Sequence, residues 1–202
     1  KFQKIKSFRL DSEILMSQII KKKREYIILN SEKKICSKTY NDYKKLISLR
    51  ACKKPIAYLI GKKEFWKYEF VIIDGVLIPR PDTEIIVEQV LKLTKNKSKL
   101  RVLDIGVGSG CLLLSILKEK KDFSGIGIDK SQKSIINSKI NANNLKLKGR
   151  VKFFKSDVDN FNYGKYDLIL SNPPYIKQAK LRCLEKDVIG FEPKIALDGG
   201  LD

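Results

Sequence analysis

The chain contains no histidine, and its four cysteines (Cys36, Cys52, Cys111 and Cys183) are scattered without a single C-x-x-C pair. A His/Cys zinc site has no ligand set to draw on and a disulfide framework has no spacing to support it. Reduced packing cysteines and no bound metal are expected instead. The missing histidine also removes the side chain most often used as a general base near neutral pH. Long hydrophobic runs are lacking too. The strongest apolar cluster covers residues 112–117, far short of the roughly 20 residues of a membrane span, and nothing at the start resembles a secretory signal. No membrane association and a cytoplasmic location are expected. Internal repeats and low-complexity segments are absent as well.

Acidic residues are scarce beside basic ones, 23 against 42, for a formal charge of +19. Such a charge can attract nucleic acid or ribonucleoprotein. Only seven of the basic residues are arginines, however, and the lysines run along the whole chain rather than in one stripe. Phosphate-recognising surfaces favour arginine, so solvated faces are the expected role of most of this charge.

At 202 residues the chain can bury a substantial core in one or two domains. Residues 1–60 have the texture of a small helical unit. Asp11 or Ser12 is placed to cap a helix carrying Ile14, Leu15, Ile19 and Ile20, with the basic run 21–24 near its C-terminal end. A second helix is expected from Thr39, with Tyr43, Leu46, Ile47 and Ala51 on one face and Pro55 as its punctuation. Residues 61–78 turn β-like, with Asp74-Gly75 as a hairpin turn between 70–73 and 76–78. This hairpin reads as a connector. Pro79-Arg80-Pro81-Asp82 then leads into a helix capped by Asp82 and bearing Ile85, Ile86, Val90 and Leu91. Residues 79–202 form the remaining domain. Strands are expected at 100–105, 124–128, 151–155 and 166–171, with helices at 110–120 and 131–143 between them. That alternation implies an α/β fold with a doubly wound parallel sheet.

The strand ends carry the chemistry. Val102-Leu103-Asp104-Ile105-Gly106-Val107-Gly108-Ser109-Gly110 runs from a strand through a glycine turn into a helix, where a ligand can lie against the main chain. Asp129 follows at the tip of the next strand, 23 residues after Gly106, where a carboxylate can accept the two hydroxyls of a ribose. The dinucleotide pattern G-x-G-x-x-G would need glycine at Cys111. The pattern here is G-x-G-x-G, and Asp104 just ahead of it suits a cationic sulfonium better than a pyrophosphate. S-adenosylmethionine is thus favoured over NAD. Asp157, at the third strand tip, can meet an adenine edge or cap a helix. After the fourth strand, Asn172-Pro173-Pro174-Tyr175 sets an amide on a rigid seat, with carbonyl acceptors for an NH2 group and an aromatic ring for a planar substrate. Taken alone, the same four residues also make a proline-rich turn.

Together the G-x-G-x-G turn, Asp129 and Asn172 to Tyr175 resemble class I S-adenosylmethionine-dependent methyltransferases that modify planar NH2 nitrogens. Three further blocks are similar to the HemK/PrmC family of protein-(glutamine) methyltransferases. They are Lys63-Glu64-Phe65-Trp66, Leu77-Ile78-Pro79-Arg80-Pro81-Asp82-Thr83-Glu84, and Phe191-Glu192-Pro193 followed by Ala196-Leu197. Pro55-Ile56-Ala57-Tyr58-Leu59 also matches, and the resemblance covers nearly the whole chain. It implies methyl transfer to the glutamine of the Gly-Gly-Gln motif in peptide chain release factors, by a monomer acting near the ribosome. The implied cofactor contacts are Asp104, Gly106, Val107, Gly108, Ser109, Gly110, Asp129, Asp157, Val158 and Asn172. The implied catalytic set is Asn172, Pro173, Pro174 and Tyr175. Val107 stands where the family commonly has threonine, and Val158 where relatives often have an aromatic residue. The resemblance also implies a sheet of seven strands, of which the chain has four, so the isolated 202 residues are expected to be poorly stable. Glutamine of a ribosomal protein, an adenine amine in DNA or RNA, and a cofactor-binding regulatory module without transfer activity are the competing readings. A dehydrogenase is disfavoured by Cys111, and the role of Arg80 is open.

Overall fold

A computed structural model describes residue 5 and residues 7–201. The chain divides into two compact units. One runs to Gly61 and takes in Glu185–Phe191; the other comprises Lys62–Leu184 and the residues from Glu192 onward. No helix among the described residues is long and apolar enough to cross a membrane.

The first unit is helical: α1 (Phe8–Ile20), α2 (Arg24–Leu29), α3 (Ser37–Ala51) and α4 (Ile56–Ile60). Helix α1 begins ahead of the expected cap. Asp11 lies inside its first turn, where it accepts hydrogen bonds from Ser7 Oγ (3.0 Å) and Arg50 Nε (2.7 Å). A buried carboxylate engaged by an arginine from α3 is a tertiary partner, and the cap position falls to Ser7. Lys21 ends the helix in the left-handed region (φ 53°), and the basic run continues through Lys22 and Lys23 into Arg24, the first residue of α2, a helix the sequence pattern did not signal. Helix α3 starts before Thr39 and half-buries the expected face of Tyr43, Leu46, Ile47 and Ala51.

The second unit opens with an antiparallel hairpin, β1 (Lys62–Phe65) and β2 (Tyr68–Val71). Its turn is at Trp66-Lys67, with Trp66 at φ 58°, so the expected hairpin around Asp74-Gly75 is corrected. That expectation failed because the groups that would have paired with 76–78 are taken by side chains. Val71 N and Ile73 N donate to the Oδ1 atoms of Asn141 (2.8 Å) and Asn137 (2.9 Å). Both asparagine Nδ2 atoms donate back to Val71 O, at 2.7 Å from Asn137 and 2.9 Å from Asn141. Two asparagines one helical turn apart thus satisfy backbone that would otherwise require a neighbouring strand.

A 3-10 turn (Pro81–Thr83) precedes α5 (Glu84–Leu93). Asp82 is exposed and is not the helix cap, and the extra turn shifts the helix phase. Val87 and Val90 face the core, while Ile85 is exposed. The alternating region follows the sequence pattern closely: β3 (Arg101–Ile105), α6 (Cys111–Glu119), β4 (Ser124–Asp129), α7 (Gln132–Asn144), β5 (Val151–Lys155) and β6 (Leu168–Ser171). The four strands are parallel, in the order β5-β4-β3-β6. Chain order moves from β3 outward to β5 and then returns to β6 on the other side. The crevice beyond the strand ends at such a reversal is where α/β folds bind ligands.

Candidate active site

A cavity of about 340 Å³ opens at that reversal. Its walls come from the ends of all four parallel strands and the loops after them. Ile105 ends β3, with Gly106 and Gly108 after it; Ile128 and Asp129 end β4, with Lys130 and Ser131 after them; Ser171 ends β6, with Asn172, Pro173 and Pro174 after it. Asp157 and Val158 close one end, and Pro193, Ile195, Ala196 and Asp198 close another.

The glycine turn spends its donors on the protein itself. Gly106 N and Val107 N both donate to Ile128 O at 2.9 Å, and Gly110 N donates to Val107 O at 2.8 Å. Gly108 N donates to Asp129 Oδ2 at 2.9 Å, while Asp129 Oδ1 accepts from Ser131 N at 2.8 Å. A pyrophosphate cradle needs convergent, unpaired N–H groups, which this turn does not offer. It presents instead the bare Cα face of Gly106 (φ 77°), where a Cβ would stand in open space. Each oxygen of Asp129 keeps a lone pair beyond the one it uses.

Several residues expected to contact a cofactor stand behind this wall. Asp104 is buried and does not line the cavity. Burial pushes its pKa up to about 7; the Leu113 N–H at the start of α6 opposes the rise and the charge of Asp129 adds to it. Its Oδ2 has no partner. Val107 is also buried, its Cγ2 lying 2.7 Å from where a Cβ on Gly127 would be. The valine therefore packs on β4, which explains why this loop position tolerates an apolar residue. Ser109 and Gly110 do not line the cavity either, and neither does Tyr175, which is 77% exposed.

Asp157 lines the cavity and precedes a 3-10 turn (Val158–Asn160), but its side chain makes no capping hydrogen bond. Lys130 Nζ lies 2.7 Å from its Oδ2 and holds the carboxyl below the usual carboxylate range. Its Oδ1 is buried and unpartnered, an acceptor available to a donor in the cavity. Lys130 escaped the sequence reading, although its place beside Asp129 at a strand tip was a signal.

Asn172 is half-buried, and its Nδ2 donates to Thr83 Oγ1 at 3.2 Å. Its Oδ1 is thereby left as the acceptor for a ligand. The Pro174-Tyr175-Ile176 backbone is held from behind by the segment after Pro193. Ile176 N donates to Leu197 O (3.2 Å) and Gly199 N to Ile176 O (2.9 Å). Arg80, left open by sequence, donates to Glu192 Oε1 at 2.7 Å, and Ile78 N donates to Glu192 Oε2 at 3.1 Å. Glu192 is itself buried. The conspicuous proline-arginine block is thus tied to the element that supplies Pro193, Ile195 and Ala196.

Residues 1–61 match the PrmC N-terminal domain, and residues 82–189 match the methyltransferase small domain. The chain is 43% identical over 192 residues to the release factor glutamine methyltransferase of Buchnera aphidicola subsp. Baizongia pistaciae, covering 93% of this chain and 67% of that protein. It is 42% identical over 195 residues to the protein of the same name from Clostridium acetobutylicum, covering 95% and 68%. Among solved structures, it is similar to a SAM-dependent methyltransferase from Geobacter sulfurreducens in complex with S-adenosyl-L-homocysteine. That match is 26% identical with a TM-score of 0.39, over 46% of this chain and 36% of the other. The sheet domain has the class I methyltransferase fold, whose cofactor is S-adenosylmethionine. The cavity fits that cofactor: the Gly106, Val107, Gly108 and Gly110 N–H groups are already paired within the protein, which disfavours a phosphate cradle, while Asp129 and Asp157 retain acceptors. On both matched domains and on identity across nearly its full length, the chain belongs to the release factor glutamine methyltransferase family.

Proposed function

We propose that this protein transfers a methyl group from S-adenosylmethionine to the side-chain amide nitrogen of the glutamine in the Gly-Gly-Gln motif of peptide chain release factors. The observation that carries this reading is the position of Asn172. Asn172 lines the cavity that Gly106, Asp129 and Asp157 also line, and its Nδ2 is engaged by Thr83 Oγ1, which leaves Oδ1 as the acceptor for a ligand. An amide nitrogen is a poor nucleophile because its lone pair is delocalised into the carbonyl. Asn172 Oδ1 and a carbonyl of Pro173 or Pro174 each accept one N–H, which orients the nitrogen and raises its electron density. When bound, S-adenosylmethionine supplies an electrophilic methyl on a sulfonium. The Gly106 face and Asp129 would hold its methionine and ribose portions, and Asp157 Oδ1, which is unpartnered, would accept from the adenine amine. Val158, which lines the same cavity, would lie against the ring. The amide nitrogen held by Asn172 and a proline carbonyl would take that methyl, the S–C bond breaking as the N–C bond formed, and its surplus proton would pass to solvent afterwards. Tyr175, exposed beside the clamp, packs on the incoming loop. The helical residues 1–60 dock the release factor, a role supported by their match to the PrmC N-terminal domain.

The test is mass spectrometry of a release factor after incubation with the full-length protein and S-adenosylmethionine, beside a Gly-Gly-Ala control. One added methyl on the glutamine, absent from the control, is expected. Transfer to a ribosomal protein or to nucleic acid, with none to the release factor, would overturn the reading.

A further inference from the structure

An asparagine clamp works only one way round. The terminal amide of Asn172 has an acceptor end and a donor end of nearly equal size, and rotation by about 180° about χ2 exchanges them. If Nδ2 faced the cavity, two NH2 groups would oppose each other and the substrate nitrogen would lose an acceptor. Something must therefore take up the donor end.

We infer that Thr83 is a positioning residue for this reaction: its hydroxyl oxygen accepts from Asn172 Nδ2 and holds Oδ1 toward the substrate amide. The inference rests on the function proposed above. The two residues are 89 positions apart and meet at 3.2 Å. Thr83 is the last residue of the 3-10 turn between Arg80 and α5, where its backbone N donates to Arg80 O at 3.1 Å. That turn is unusually well fixed. Pro81 presets its first φ, Glu84 next in line accepts from Trp66 N at 2.8 Å, and Arg80 and Ile78 are both held by the buried Glu192. A hydroxyl on such a bracket keeps its place, whereas a side chain on a loose loop would follow the asparagine. The proline-arginine block thereby acquires a role toward the chemistry, exerted through one hydroxyl and without contact with the methyl donor: Thr83 is absent from the cavity wall.

The experiment compares Thr83→Val, which keeps the shape and removes the acceptor, with Thr83→Ser, which keeps the acceptor. In the full-length enzyme with saturating S-adenosylmethionine and a release factor, Thr83→Val is expected to lower kcat roughly tenfold, the worth of one oriented hydrogen bond. The KM for S-adenosylmethionine should be unchanged, and Thr83→Ser should recover most of the loss. In an Asn172→Ala background Thr83→Val should have no further effect. An unchanged kcat in Thr83→Val, or the same loss in both backgrounds, overturns the inference. A second arm needs no substrate. The Asn172 side-chain NH2 signals in a 1H–15N spectrum, assigned through Asn172→Asp, should shift in Thr83→Val and stay near their original place in Thr83→Ser. Unmoved signals in Thr83→Val overturn the inference even if the substrate is another amide. Failure of the wild-type enzyme to methylate any release factor, with the spectral shift present, overturns the functional reading and leaves the Thr83–Asn172 pairing standing.

Discussion

Gly199 has no room for a side chain. A Cβ there would sit 2.9 Å from Tyr175 C and Cα and 3.0 Å from Pro174 O, all backbone atoms that cannot swing aside. Gly199→Ala is therefore expected to displace the carbonyl clamp itself. A shift of that kind costs roughly 10- to 100-fold in kcat, with S-adenosylmethionine affinity nearly intact, as isothermal titration beside steady-state kinetics would show. Asn172→Ala should cut kcat by roughly 100-fold or more, again with little change in cofactor affinity; near-normal turnover would remove Asn172 from the mechanism. Asp104 supports a prediction about pH. Its carboxyl is buried and its pKa pushed up to about 7, against an ordinary value of 3.8. The folded state therefore holds this proton more tightly than the unfolded chain. The stabilisation is complete below about pH 4 and is lost as pH rises through about 7, a difference of about 4 kcal/mol for the group. Asp104→Asn should flatten the fall in stability between pH 4 and 8 measured by urea denaturation. An unchanged slope would show that Asp104 is ionised in the folded protein throughout that range.

The elements are joined by side chains that replace missing backbone partners. Asn137 and Asn141 on α7 hold the end of β2, and Asn141 Nδ2 also reaches Ser109 O at 2.9 Å in the glycine turn. Replacing both with alanine leaves Val71 N, Val71 O, Ile73 N and Ser109 O without these partners, and a fully buried group left unsatisfied costs about 1–3 kcal/mol, a half-buried one less. Chemical denaturation should therefore show a loss of several kcal/mol, large for two substitutions to alanine on a helix. Arg150 serves the far end of α6 in the same manner, donating to Leu117 O (2.7 Å), Lys120 O (3.0 Å) and Phe123 O (3.0 Å). The hairpin is the element that sequence misplaced. Asp74-Gly75 has the composition of a tight hairpin turn, but a turn makes a hairpin only if both flanks need each other. Here one flank is satisfied by asparagines more than 60 positions away, which no local pattern reports. The α/β alternation was legible for the opposite reason: apolar strands and amphipathic helices carry their own period, and α7 begins next to residue 131, where the sequence pattern started that helix.

At the scale of the whole sheet, β6 lies at one margin of the four parallel strands. Among the described residues β6 pairs only with β3, and Ile169 on it is 60% exposed. An apolar strand with an unpaired side is a template for association. The chain as 202 residues is expected to self-associate at low salt despite its charge of +19, and Ile169→Lys should reduce that association in light scattering. Equal scattering by both would place the contact elsewhere. The charge itself is spread over lysines along the chain, so raising ionic strength should screen repulsion and increase the association.

Composition and local pattern determined that the chain would be α/β, that its ligand crevice would lie beyond the ends of the parallel strands, and that Gly106, Asp129, Asp157 and Asn172 would stand at those ends. Each of those residues ends a strand or follows its end, and parallel strands necessarily bring their C-terminal ends together. Only the tertiary structure decided what each side chain faces. It turned Asp104 and Val107 inward, paired Lys130 with Asp157, tied Arg80 to Glu192 and set Thr83 against Asn172. Those outcomes depend on contacts between residues far apart in the chain, where period and propensity carry no information and packing geometry alone selects the partner.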